Sequence, residues 1–242
     1  MIFNIYFFSC VFSSYPTENA VKGDKRIDRA TGVCKKIVGH FSHSFKQKMA
    51  LKDAQVSRNL PEHKLKTECQ TRWGSRQQMM ERILEQHQAL YDVLSESAKT
   101  RHLVPSSSDI TVLESVNKAI QPLQEFTDAL SGESYVSVSY VKPVLHLMKT
   151  ELLAETEGDS QLTETIREKI LDYMNTKFDD EDTQDLLDMA SFVDPRFKIT
   201  YISSEKVADI KARVLSEMKA ATAQVIRLGY NCILYQGLCL VG

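Results

Sequence analysis

The chain's only tryptophan, Trp73, stands between Arg72 and Arg76 in a short polar segment that directly precedes an amphipathic stretch. An indole is normally buried, but beside guanidinium groups it is suited to stacking on a base while the arginines contact phosphates. The pattern therefore predicts a nucleic-acid-binding site at Arg72, Trp73 and Arg76. Two other interpretations stay open: Trp73 can cap the next helix and pack against Leu65 or Met79, and the arginines can be solvated surface residues.

Other residues with metal-binding or catalytic chemistry lack the partners that this chemistry needs. Cys34, His40 and His43 share a helical stretch but have no Cys-x-x-Cys pair beside them, so their spacing does not predict a zinc site. Asp185 and Asp188 belong to an acidic run at the start of a helix, where carboxylates complement the helix dipole and stay solvated. We predict no catalytic residue, no metal site and no cofactor.

The charge of the chain is unevenly distributed, although its formal net charge is only −2. Residues 22–101 contain 17 Lys or Arg and 9 Asp or Glu, whereas residues 102–242 contain 13 and 22. A basic half that carries the Arg-Trp segment is the distribution expected if that half meets a nucleic-acid backbone. The alternative is a solvated bipolar protein whose two halves attract each other. Five cysteines without framework spacing indicate reduced intracellular thiols.

Apolar residues recur at steps of three and four over most of the chain, while the period of two that marks a half-buried strand is missing. Nine glycines and six prolines are few for 242 residues, which also favours long helices. The sequence predicts an all-α bundle of about seven helices. Their ranges are 33–56, 75–99, 109–131 with a kink near Pro122, 139–152, 162–177, 181–192 and 204–224.

The two ends differ from this pattern. We assign residues 1–32 to an atypical apolar start followed by a polar linker, residues 33–222 to the helical domain, and residues 223–242 to an atypical apolar tail. Only Ile2–Phe12 and Cys232–Val241 are weak strand candidates. The apolar start is shorter than the ~20 residues that span a bilayer, so no membrane partner is predicted. Both ends are expected to be the least ordered or least packed parts.

Three blocks of the sequence resemble motifs of the hAT superfamily of transposases and of the zinc-finger-BED-type proteins derived from them. The first is Thr71-Arg72-Trp73-x-Ser75, followed by a helix with a Met-x-x-Arg step. The second runs from Gln121 through Ser131, and the third is Asp194-Pro195-Arg196-Phe197-Lys198. They occur in the family's order, and the resemblance covers residues 33 to 220.

The resemblance implies a nuclear protein whose helical region interrupts a ribonuclease-H-like core. The family's three catalytic acids would lie outside this helical stretch, so no catalytic carboxylate is carried over and no enzyme activity is expected. In the family the tryptophan that matches Trp73 is associated with DNA hairpin formation. The expected partner is therefore DNA; the alternative is a protein-interaction or dimerisation scaffold that recruits other copies or transcriptional partners without touching DNA.

Overall fold

The computed structural model describes residues 19–69, 74–131 and 137–238, with side chains as far as 126 and again from 137 to 224. These ranges contain helices, turns and loops but no strand, which confirms the all-α prediction. The helices are α1 Lys25–Ser42, α2 Phe45–Ser57, α3 Ser75–Glu85, α4 His87–Ser95, α5 Ser107–Ser131, α6 Val141–Leu147, α7 Gln161–Lys177, α8 Glu181–Val193 and α9 Val207–Leu238. Short 3₁₀ turns occupy Arg101–Leu103 and Val138–Tyr140, and Met148–Leu152 is a π-helical turn.

The chain forms two compact units. Within the described residues, the first unit comprises 19–69, 74–131 and 147–176, and the second comprises 137–146 and 177–238. No helix in the described ranges has the length and apolar character needed to cross a membrane.

The helix predicted over 33–56 is two helices, and the first of them begins earlier than predicted. Asp24 caps α1 by accepting a hydrogen bond from the backbone N–H of Arg26 at 2.9 Å, so residues 25–32 are helical and not a linker. The helix ends at Ser42 because Ser44 starts α2, its hydroxyl accepting from the N–H of Gln47. After this break, Phe45 is 79% exposed, so it does not continue the buried stripe of α1 as the periodicity predicted.

A second break separates α3 from α4 at Gln86, where one helix was predicted from 75 to 99. Gln86 is completely buried, and its side-chain amide donates to the carbonyl of Pro61 in the preceding loop at 3.1 Å. This bond matters for Gln86, because a buried side-chain amide without a partner is costly. The spacing of apolar residues cannot reveal the break at Gln86, because the apolar pattern continues on both sides of it.

The core of the first unit is formed by α1, α3, α4, α5 and α7. Its largest fully buried apolar side chains are Ile37, Phe41, Met79, Met80, Ile83, Leu90, Leu94, Leu113, Ile166 and Ile170. Helix α5 begins with a reciprocal cap, in which the Asp109 carboxylate accepts from the N–H of Ser106 and the Ser106 hydroxyl accepts from the N–H of Asp109. Arg29 of α1 also donates to Asp109, at 3.2 Å, which joins α1 to the start of α5. Helix α5 continues through Pro122 to Ser131.

The second unit is organised around the segment that follows α8. Asp194 accepts hydrogen bonds from the backbone and the guanidinium of Arg196 and from the hydroxyl of Ser139. The Arg196 guanidinium also lies over the ring of Tyr140, 4.5 Å from its centroid. The Asp-Pro-Arg-Phe block therefore closes a turn onto the Val138–Tyr140 segment within this unit.

Apolar packing in the second unit joins α8 to α9. Ile202, Ile210 and Val214 form a buried cluster, against which Met189, Phe192 and Val207 pack. Helix α9 runs to Leu238, well beyond the predicted end at 224. The weak strand predicted at 232–241 is wrong as far as residue 238, because this stretch is helical; its remainder and the strand candidate at 2–12 lie outside the described residues.

Asp194→Asn should lower the free energy of unfolding by about 2 kcal/mol at neutral pH, because the charged acceptor of several hydrogen bonds is lost. Hydrogen bonding from Arg196 holds the pKa of Asp194 well below its ordinary value, against the opposing effect of burial. A lowered folded-state pKa gives stability that is present above the unfolded pKa and is lost as the pH falls.

The difference between Asp194→Asn and the parent should therefore shrink as the pH falls below about 4 in chemical denaturation. Glu217→Gln on the exposed surface of α9 is the matched control and should change little. A constant difference down to pH 2 would contradict this account of the turn.

Candidate nucleic-acid interface around Arg76

The predicted site residues fall at and before the first turn of α3. Arg76 is the second residue of this helix, whereas Arg72 and Trp73 lie outside the described residues. The structure therefore defines the two flanks of the Arg-Trp segment, at Cys69 and Gly74. The predicted contacts of Trp73 with Leu65 or Met79 also stay a prediction.

Ser75 binds the backbone on the other side of this segment. Its hydroxyl accepts a hydrogen bond from the N–H of Cys69 at 2.9 Å and donates to the carbonyl of Cys69 at 2.8 Å. Ser75 is only 6% exposed, so the hydroxyl end of both bonds is buried. They join the residue before the 70–73 segment to the second residue after it.

A buried carboxylate organises the cations beside this segment. Glu68 is 8% exposed, and its two oxygens contact Lys35 Nζ at 2.7 Å and Arg76 Nε at 2.8 Å. Lys35 comes from α1 and Arg76 from α3, so the carboxylate links both helices to the loop. Lys35 and Arg76 keep 49% and 37% of their side-chain surface exposed and can still meet a ligand.

The net effect on Glu68 is a pKa below its ordinary value. Burial acts to raise the pKa of this carboxyl, but the hydrogen bonds from Lys35 and Arg76 and their positive charges outweigh it. Glu68 is therefore ionised at neutral pH, and both cations are held in place.

Lys35 and Glu68 were not among the residues predicted for the site. The sequence shows Lys35 only as one of many cations in the basic half, and it gives no signal that Glu68 is buried between cations 33 residues and 8 residues away. Only the packing of α1 against α3 brings them together.

Gly74 is the N-cap of α3 and has a left-handed backbone conformation, with φ of 74°. A β-carbon at this position would overlap the Gln124 side-chain oxygen of α5. The backbone angle therefore favours glycine, and a larger residue would also require the end of the Gln124 side chain to move. The start of α3 therefore lies close to α5.

The residues considered for metal binding are engaged otherwise. Cys34 is completely buried in the core, and burial raises the pKa of its thiol to about 12. Asp185 is paired with Arg213 and Lys206, and the buried Asp188 is paired with Lys142. Within the described ranges, no group of three His, Cys, Asp or Glu residues is placed to hold a metal ion.

Gly74→Ala should destabilise the protein by about 2 to 4 kcal/mol, because it adds an overlap with Gln124 to the cost of a positive φ. Gly158→Ala is the matched control, since Gly158 has φ of 86° but a β-carbon there would meet nothing within 4 Å. It should cost only about 1 to 2 kcal/mol.

The double variant Gly74→Ala with Gln124→Ala should recover part of the loss in a double-mutant cycle. Equal losses for Gly74→Ala and Gly158→Ala, with additive effects in the double variant, would contradict the proposed close contact between Gly74 and α5.

Comparison with known proteins finds two similarities. Residues 20–119, which contain α1 to α4, the Glu68 contacts and the start of α5, match the ZBED1 RNase-like helical domain. Human zinc finger BED domain-containing protein 4 is 24% identical over 218 residues, which cover 88% of this chain and 18% of that protein. The chain thus spans less than a fifth of the length of this relative. These similarities agree with the resemblance to the hAT- and BED-type transposase-derived proteins.

Proposed function

We propose that this chain is a nucleic-acid-binding domain of a transposase-derived nuclear protein, and that it acts by holding DNA and not by cleaving it. The observation that carries the proposal is the anchoring of the Arg-Trp segment on both sides. Ser75 holds Cys69, and Glu68 holds Lys35 and Arg76 beside the same segment. The nuclear location is proposed from the family relationship.

Anchored ends favour binding for an energetic reason. A loop that is ordered only when it binds loses conformational freedom at that moment, and this loss weakens the complex. The flanks of residues 70–73 are already fixed in the free protein, so less freedom remains to be lost. Trp73 then supplies an aromatic surface for an unpaired base, while Arg72 and Arg76 supply phosphate contacts.

Binding without turnover is favoured because Asp185 and Asp188 of α8, the acidic residues considered for metal binding, are engaged with cations. Asp185 neutralises cations of the segment that leads into α9 and of α9 itself, and Asp188 is 1% exposed beside Lys142. Phosphodiester cleavage by a transposase requires carboxylates that share two divalent metal ions. Carboxylates that are engaged in ion pairs in this way are poorly suited to that role.

The alternative is a protein-interaction scaffold, and the exposed face of α2 favours it. Phe45, Met49 and Val56 are 79%, 42% and 57% exposed, and their spacing places them on one side of the helix. Lys48 and Lys52 flank this stripe. An acidic amphipathic helix of a partner protein would match both its apolar and its charged character. In that case Phe45→Ser, and not Trp73→Ala, would abolish partner binding.

Trp73→Ala should weaken binding of hairpin or single-stranded DNA by about 1 to 3 kcal/mol, the usual contribution of one stacked base. The fluorescence of the single tryptophan should be quenched when such DNA is added to the parent protein. Tyr91→Ala is the matched control, because Tyr91 is an aromatic side chain that is 58% exposed in the same unit.

Tyr91→Ala should leave the affinity within about twofold, which corresponds to less than about 0.5 kcal/mol. Unfolding of Trp73→Ala, together with an unchanged fluorescence on DNA addition, would show that the indole is a packing element and would contradict the proposal.

The purified chain should not nick supercoiled plasmid DNA in the presence of Mg²⁺ or Mn²⁺, because Asp185 and Asp188 of α8 are held by cations. Cleavage that depends on added metal and is lost in Asp182→Ala or Asp185→Ala would overturn the binding-only function. Asp179→Ala, just before α8, controls for a general change of charge.

A further inference from the structure

An open cleft lies in the first unit between the residues before α1, one face of α1, and the start of α3. Its volume is about 380 Å³, far more than the ~30 Å³ of one water molecule. Its lining includes Lys22, Thr31, Gly32, Lys35 and Arg76. Two of them, Lys35 and Arg76, are the cations that Glu68 holds.

Three cations from separate parts of the chain converge on this cleft. Lys22 is exposed and has no ion pair within the described residues, whereas Lys35 and Arg76 share the buried carboxylate of Glu68. Asp28 also lines the cleft, so the cations outnumber the nearby acids by one. A concave surface with an excess of cations concentrates anions more strongly than a flat one.

Two neutral features of α1 suit a phosphate group. Thr31 is 6% exposed, and its hydroxyl oxygen has no hydrogen-bond partner among the residues that the structure describes. A buried hydroxyl without a partner is unusual, and a ligand oxygen would satisfy it. Gly32 presents no side chain, and a β-carbon there would meet nothing within 4 Å. The wall of the cleft is therefore open at the helix backbone.

We propose that this cleft binds a phosphodiester of the nucleic-acid strand that the Arg-Trp segment holds. Lys22, Lys35 and Arg76 contact the phosphate oxygens, and the Thr31 hydroxyl donates to one of them. This assignment rests on the proposed DNA-binding function and extends it to Lys22, Thr31 and Lys35. Arg76 belongs to both sites and is three residues from Trp73 in the sequence.

The cleft can be filled without disturbing the core. Gly32→Gln places a side chain into open space within the cleft and replaces a helical glycine by a better helix former. Gly39→Gln is the matched control: Gly39 lies on the same helix two turns further on, also with nothing within 4 Å, and is not part of the lining. Both variants should fold as the parent does.

Gly32→Gln should weaken the affinity for hairpin DNA at least tenfold, while Gly39→Gln should leave it within twofold. Lys22→Gln should reduce the slope of log affinity against log salt by about 0.7 to 0.9, the value of one phosphate contact. Lys46→Gln, an exposed lysine on α2, should not change the slope. Inorganic phosphate should compete with DNA for binding to the parent more strongly than chloride does at equal ionic strength. With Gly32→Gln, phosphate should compete no more strongly than chloride.

The outcomes separate this inference from the function on which it rests. If Trp73→Ala weakens DNA binding but Gly32→Gln and Lys22→Gln do not, DNA binding stands and the cleft assignment is wrong. If inorganic phosphate binds in the cleft while DNA binding is insensitive to Gly32→Gln, the cleft is a free-phosphate site and the inference is overturned. If none of the three variants changes DNA affinity, or no DNA binds at all, both proposals fail.

Discussion

One buried carboxylate joins the parts of the candidate interface. Glu68 stands at the end of the loop before the Arg-Trp segment and binds a lysine of α1 and an arginine of α3. Removing one partner from a buried ion pair is costly because the remaining charge stays desolvated. Here Lys35 and Arg76 are half and one-third exposed, so the cations are positioned by the protein and still reach solvent. The same contact therefore orders the loop and presents positive charge beside it.

Less positive charge of the basic half is available to a ligand than its composition suggests. Many of its cations are already paired with local acids: Arg26 with Asp24, Arg29 with Asp109, Lys52 with Glu62, Arg58 with Asp92 and Arg82 with Glu85. Exposed pairs of this kind contribute little to stability, but they cancel much of the local field. What distinguishes the cleft is its geometry, since Lys22, Lys35 and Arg76 converge on one concave surface.

The helical class and most helix positions could be predicted from the spacing of apolar residues, as α7 and α8 show. The breaks at Ser44 and Gln86 could not be predicted in this way. Each break has a polar contact, and the spacing of apolar residues on either side of it does not change. Arg76 was predicted as a site residue from its place near Trp73. Glu68, Lys35 and Gly32 were not recognised, because they come together only when α1 and α3 pack. The motif at 194–198 was recognised as a resemblance, and the structure gives it a physical role in the second unit, as a turn closed by Asp194 and Arg196.

The central claim is that one surface of the first unit, formed by residues 69–76 and the first half of α1, holds DNA. Hydrogen–deuterium exchange of the whole chain with and without hairpin DNA tests it most directly. The account predicts slower exchange in peptides that cover 69–76 and 28–36, and unchanged exchange in α8. Bound DNA that leaves both of these regions unchanged, or that protects only residues of the second unit, would contradict it.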